Sequence, residues 1–274
     1  MITQEEKKAI LRSMSLMDDA LFTKCFGESK ACTEVLLRVI LNKRDLCVID
    51  VHPQRWIENI ISHSVKLDVM AVDLDGTIYD IEVQKETKGA SRRRARYYSS
   101  MMDADMLDKG TGFDCLPDSF IIFITSGDAL GRGEAIYHVE RKVEETGEAF
   151  GDGSQIIYVS SSLTKPETEL GRLMEDLKCT DPEKRHYTVI KERTEFLKLE
   201  KEGLAIMSSM FDEVLKREKE TSKLGGKQEG VIKGKLDMTK NMLADGTIPL
   251  AKIAEISGLS ITELNSIKQS LSVS

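Results

Sequence analysis

The 274-residue chain has no apolar run near the ~20 residues that a membrane-crossing helix needs. Its longest, "EVLLRVIL" and "SFIIFIT", suit buried elements of a water-soluble core. Five cysteines (Cys25, Cys32, Cys47, Cys115, Cys179) include no C-x-x-C pair. That argues against a disulfide framework and a cysteine zinc site, and fits a reducing compartment. The four histidines (His52, His63, His138, His186) form no spaced pair, so neither a histidine metal clip nor a Ser-His-Asp triad can be read. Trp56, the one tryptophan, is expected in the core. The start, "MITQEEKKAILRS", contains acidic residues and carries no leader-like apolar stretch, so the expectation is a cytoplasmic protein with no membrane partner.

Positive charge is also short overall: the formal net charge is −7, which argues against nucleic-acid binding as a property of the whole surface. It is concentrated locally, however. "SRRRARYY" places four arginines in five positions, and a basic stripe on an acidic protein can still hold phosphates. A solvated helix face, paired with the acids of "MMDADMLD", is the competing account.

Apolar spacing predicts two helices over "DDALFTKCFGESKACTEVLLRVILNKRD", ending at Asn42. "LCVIDV" reads as a strand. "HSVKLDVMAVD" and "TIYDIEVQK" read as two strands joined by the turn "LDG". "SRRRARYYSSMMDADMLDKG" is helical, from a serine start to a glycine stop, and "SFIIFIT" is a buried strand. "AIYHVERKVEETGEAFGDGSQIIYVSS" looks like a hairpin with "GDG" in its turn. "ETELGRLMEDLKC" and "ERTEFLKLEKEGLAIMSSMFDEVLKREKE" are helices. These imply one domain over 1–220, a Gly/Lys-rich connector over 221–235, and a small tail over 236–274. In that tail "LAKIAEISGLSITELNSI" has the form of a helix-turn-helix.

"DLDGTIYD" admits two readings. As a nucleophile loop of a haloacid-dehalogenase-like phosphatase it would make Asp73 a phosphoryl acceptor. That chemistry needs a break into loop and helix, and a downstream acidic pair for magnesium. "TIYDIEVQK" instead alternates strictly, and "IIFITSGDALG" offers a single acid, Asp128. As a hairpin turn, Leu74-Asp75-Gly76 puts glycine at the left-handed position. Asp73 then pairs with Thr77, and counting outward sets Asp68 opposite Glu82, with Gln84 on the same face. Facing carboxylates are unfavourable unless a cation holds them, and magnesium takes such oxygen ligands. Acids simply solvated on an exposed sheet face are the competing account.

The ordered set "KLDVMAVDLDGTIYDIEVQ", "RRRARYYSSMMDADMLDKG", "SFIIFIT" resembles the PD-(D/E)XK nuclease superfamily, and within it the bacterial recombination-promoting nuclease and transposase group. "DALFTKCFG", "LGRLMEDLKC" and the glycine-and-lysine tail extend the resemblance over most of the chain. It implies an α/β, restriction-endonuclease-like core of helix, three-strand meander, helix and strand, with a C-terminal helical tail. It also implies Mg2+-dependent hydrolysis of DNA phosphodiesters. Asp68 and Glu82 match the metal-binding acids, with the carbonyl of Val83 as a third ligand. Gln84 stands where the wider superfamily has lysine, and Leu67 where it has proline. Glutamine carries no charge, which leaves open a fold that binds nucleic acid without turnover. Lys66 shares the face of Asp68 and could substitute, whereas Lys85 points away. Glu34, on the first core helix, is a further candidate ligand. Arg93 and Arg96 are the candidate phosphate contacts, with Tyr97 and Tyr98 packing beneath. DNA is the implied partner, and a homodimer is left open.

Overall fold

Three helices open the chain. α1 (Gln4–Ser13) starts at a capping box in which Thr3 and Glu6 satisfy each other's amides. α2 (Asp19–Phe26) follows a short loop. α3 (Lys30–Leu41) begins where the Ser29 hydroxyl accepts the Cys32 amide. It stops at Asn42, whose φ of 52° is the left-handed conformation that asparagine tolerates. The computed structural model describes residues 3–58 and 63–213, together with 216, 252, 253 and 264. The chain divides into two compact units, Met1–Met210 and Phe211–Ser274. The connector expected at 221–235 and the helix-turn-helix expected in the tail lie outside the described residues, apart from 252, 253 and 264.

The first unit is built on a six-stranded sheet in the order β1-β4-β5-β6-β8-β7. β1 (Val48–Pro53), β4 (Val69–Asp73) and β5 (Ile78–Gln84) form the antiparallel meander. β6 (Ser119–Thr125) then runs parallel to β5, reached through α4 (Arg92–Met106). This helix, three-strand, helix, strand order is the restriction-endonuclease-like core that the sequence predicts. The β4–β5 turn also agrees: Gly76 has φ +84° and donates to the Asp73 carbonyl, while the Asp73 amide donates to Thr77.

"HSVKLDVMAVD" is not one strand. It splits into β3 (Val65–Lys66) and β4, and β3 pairs with β2 (Trp56–Ile57) in a separate two-stranded sheet. The corner is made by Gln54, whose φ is 51° and whose amide donates to the Asp68 carbonyl, and by Leu67, which donates to Arg55. Such interruptions re-aim a side chain. Here the corner falls on Asp68. Trp56 is exposed rather than core, because the β2–β3 ribbon carries it off the main sheet.

β5 departs from the expectation of a half-buried strand. Six of its seven residues are buried, both the Tyr79–Ile81–Val83 set and the Asp80–Glu82 set. α4 is the reason. Its Ala95, Met101 and Met102 pack with Met70, Ile78, Ile121 and Phe123, and so roof over the polar face of β5. The other face meets α2 and α3, which lie against β5 and β1.

β7 (Ile136–Val139) and β8 (Ser154–Ser160) form the expected hairpin, with β8 running parallel to β6. Its turn is not at "GDG". The chain reverses at 143–148, where Val143 and Glu148 pair and Gly147 has φ +77°. Gly151 and Gly153, both at positive φ, lead into β8 beside Asp118. α5 (Glu169–Lys178) follows as expected, whereas the long helix expected from Glu192 begins earlier, as α6 (Thr188–Leu199), and is interrupted. Helix resumes at 201–213 after a break at Glu200, whose ψ of 148° is extended. Among the described residues no helix is long and apolar enough to cross a membrane.

Candidate active site

The register Val69 to Ile81, continued by one residue, sets Asp68 across from Glu82 as the spacing predicts. The contact is reciprocal. The Asp68 amide donates to Glu82 Oε1 at 3.0 Å, and the Val83 amide donates to Asp68 Oδ2 at 3.3 Å. Both carboxylates are buried, Glu82 completely. Burial pushes the Asp68 carboxyl up to about 8, helped by repulsion from Glu82 and then Asp19. Burial likewise pushes Glu82 up to about 7, against the lowering effect of Arg94.

A third acid lies behind them. Asp80 is fully buried, and neither of its carboxylate oxygens has a hydrogen-bond partner. Burial raises its pKa well above the carboxylate range, and the charges of Glu82 and Asp68 add to that.

An open cleft of about 410 Å³ adjoins the pair, between Met17, Asp18 and Asp19 at the start of α2 and Val83, Gln84 and Lys85 at the end of β5. Asp68 lines it; Glu82 sits behind. The α2 side was not foreseen. The helix N-terminus brings Asp19 to the cleft, and its charge acts on both Asp68 and Glu82. The only sequence signal was the acidic pair "DD" at a helix start. Lys85 also lines the cleft instead of pointing away, held there by an ion pair with Asp18.

Glu34 is not brought to this place. Its carboxylate accepts from the Val48 amide at 3.0 Å and pairs with Arg38 at 2.8 Å, tying α3 to the start of β1. Asp73 does not line the cleft either. It accepts the amides of Asp75 and Thr77 and the Tyr79 hydroxyl at 2.7 Å, so it organises the turn. No loop-then-helix follows it, and the phosphatase geometry is absent.

Gln84 reaches toward Glu82 Oε2 at 3.5 Å and lies directly over Gly89, where a β-carbon would stand 2.1 Å from its Oε1. The turn Thr87–Ala90 that carries Gly89 leads into α4, which Ser91 caps. Of the arginines that follow, Arg93 and Arg96 are exposed and form no ion pair among the described residues. Of the acids expected to neutralise them, Asp105 pairs instead with Arg55 at 2.6 Å. Arg94 is the one that turns inward. It pairs with Glu82 Oε2 at 2.6 Å, donates to the Gly89 carbonyl at 2.9 Å, and stacks on Tyr98. Helical spacing held the clue, because Arg94 and Tyr98 are four apart and flank the buried Ala95 and Ser99.

Asp19, Asp68, Glu82 and the Val83 carbonyl are a set of oxygen donors, and two buried like charges facing one another gain from a cation between them. Carboxylate and carbonyl oxygens are the donor type that a hard divalent ion takes. Among the described residues no three acidic, histidine or cysteine side chains already converge as a metal cage.

Comparison with curated proteins and with solved structures gives no match. A family model described as "PD-(D/E)XK nuclease family transposase" matches residues 16–224, which span every element from α2 to α6. With the core topology and the Asp–Glu hairpin in place, the chain belongs to the PD-(D/E)XK nuclease family transposases.

Proposed function

We propose that the protein is a Mg2+-dependent endonuclease that hydrolyses DNA phosphodiester bonds, in the setting of recombination or mobile elements. The observation that carries this reading is the buried, mutually braced Asp68–Glu82 pair beside an open cleft. Asp68, Glu82 and the Val83 carbonyl would hold the metal, with Asp19 in the place first sought for Glu34. Bound there, the ion supplies Lewis-acid activation of the phosphate and of water.

The remaining work falls to side chains of the chain itself. Gln84, locked over Gly89, donates a hydrogen bond that orients the attacking water. Arg93 and Arg96 contact backbone phosphates. Support for that role comes from their place at the start of α4: four arginines crowd the positive end of a helix dipole, with no acid in the first turn. Phosphates would offset that repulsion, and the binding would weaken steeply with salt. Five free cysteines suit action in a reducing cytoplasm.

Nicking of supercoiled plasmid in Mg2+ tests the reading. Wild type cleaves, Glu82→Ala and Asp68→Asn lose at least ~100-fold in rate, and Asp73→Asn keeps cleavage within a few-fold despite a less stable turn. A wild type that does not cleave, or a Glu82→Ala variant as active as wild type, would overturn the proposal.

A further inference from the structure

Arg94 is held unusually firmly for a residue so near the surface. One guanidinium nitrogen binds Glu82 Oε2 at 2.6 Å and the other the Gly89 carbonyl at 2.9 Å. The plane lies 4.7 Å over the Tyr98 ring and 5.7 Å from that of Phe123, while Nε is buried with no partner. Gln84 Nε2 approaches the same oxygen of Glu82 at 3.5 Å. A charge that the strand would deliver from a lysine at position 84 is therefore delivered from the helix.

This contact also closes the site. Glu82 has two oxygens; one takes the Asp68 amide and the other takes Arg94. Lys85 is tied to Asp18, and Lys66 acts on Glu82 only through its field. Arg94 is the one cationic side chain among the described residues that forms an ion pair with Glu82.

Resting on the nuclease reading above, we propose that Arg94 is the positioning residue of this site. It is a resident counter-charge that fixes Glu82, competes with the incoming divalent cation, and supplies the positive charge that Gln84 lacks. A purely structural arginine would lower metal binding and turnover together on removal. A resident competitor moves them in opposite directions.

The test measures Mg2+ binding by calorimetry at pH 8.5 without DNA, alongside plasmid nicking, for wild type, Arg94→Ala, Arg94→Met and Arg94→Lys. Arg94→Met keeps the aliphatic stem over Tyr98 and serves if the alanine variant fails to fold. The expected result is Mg2+ affinity about tenfold tighter in the neutral variants, from removal of one positive charge beside Glu82. Turnover falls at least ~100-fold, and Arg94→Lys recovers part of both. Unchanged or weaker Mg2+ binding overturns the proposal, as does full turnover in a neutral variant. If wild type itself does not cleave, the nuclease reading fails, and the binding arm alone decides whether Arg94 is the counter-charge.

Discussion

Asp68 and Glu82 each fix the other's strand: the amide of one carboxylate residue is held by the side chain of the other, and the favour is returned at Val83. The arrangement stiffens the hairpin. It also brings two buried acids together, which is unfavourable without a cation.

Divalent metal should therefore stabilise the fold visibly. At a Mg2+ or Mn2+ concentration a hundredfold above Kd the gain is about 2.7 kcal/mol, or a rise in Tm of roughly 5–10 °C for a domain of this size. Calorimetric scans with metal and with EDTA measure it. Asp68→Asn should melt higher than wild type in EDTA, and neither it nor Glu82→Gln, which also loses the Arg94 pair, should shift with metal. An equal shift in the variants would place the metal elsewhere.

Gly89→Ala should separate activity from stability. Its β-carbon would collide with Gln84 Oε1 at 2.1 Å, the far end of a flexible side chain that can swing away. The turn keeps its shape, so Tm should change by no more than a few degrees. Nicking should fall about tenfold or more as Gln84 leaves its water-orienting position. Unchanged cleavage would remove Gln84 from the mechanism.

Acid should loosen the loop after β6 through one residue. Asp128 accepts the amides of Leu130, Gly131 and Gly133 and the Tyr137 hydroxyl. These donors, the Gly133 amide foremost, hold its pKa down to about 2. A pKa lower in the folded than in the unfolded chain contributes stability that is complete above the ordinary value of ~3.9 and is lost as pH falls from there through about 2. Urea melts of wild type and Asp128→Asn should show a gap that is constant above ~pH 5 and closes toward pH 2. A gap that ignores pH would contradict this.

Local rules made much of the fold legible. Gly76 in "LDG" set the hairpin and hence the register of Asp68 with Glu82; Asn42 ended α3; Ser91 opened α4. What escaped the sequence was decided between elements. Alternation in "TIYDIEVQK" cannot say whether the polar side faces water, and α4 covers it. Glu34 and Asp19 lie on neighbouring helices, and only their docking decides which acid reaches the cleft. Arg93, Arg94 and Arg96 look alike as a run, yet helix phase turns only Arg94 inward. "GDG" has the composition of a turn, but Val143 and Glu148 close the hairpin earlier.

The outlying β2–β3 ribbon has a practical consequence. It leaves the chain's one indole, Trp56, 57 % exposed. With more than half of the residue already in water, its emission should shift less on unfolding than that of a core indole. The same exposure leaves the emission free to respond to whatever approaches the ribbon from outside, on a strand that pairs Trp56 with Lys66, two residues from Asp68. The protein thus carries a probe placed to report on the ribbon's surroundings more than on the core.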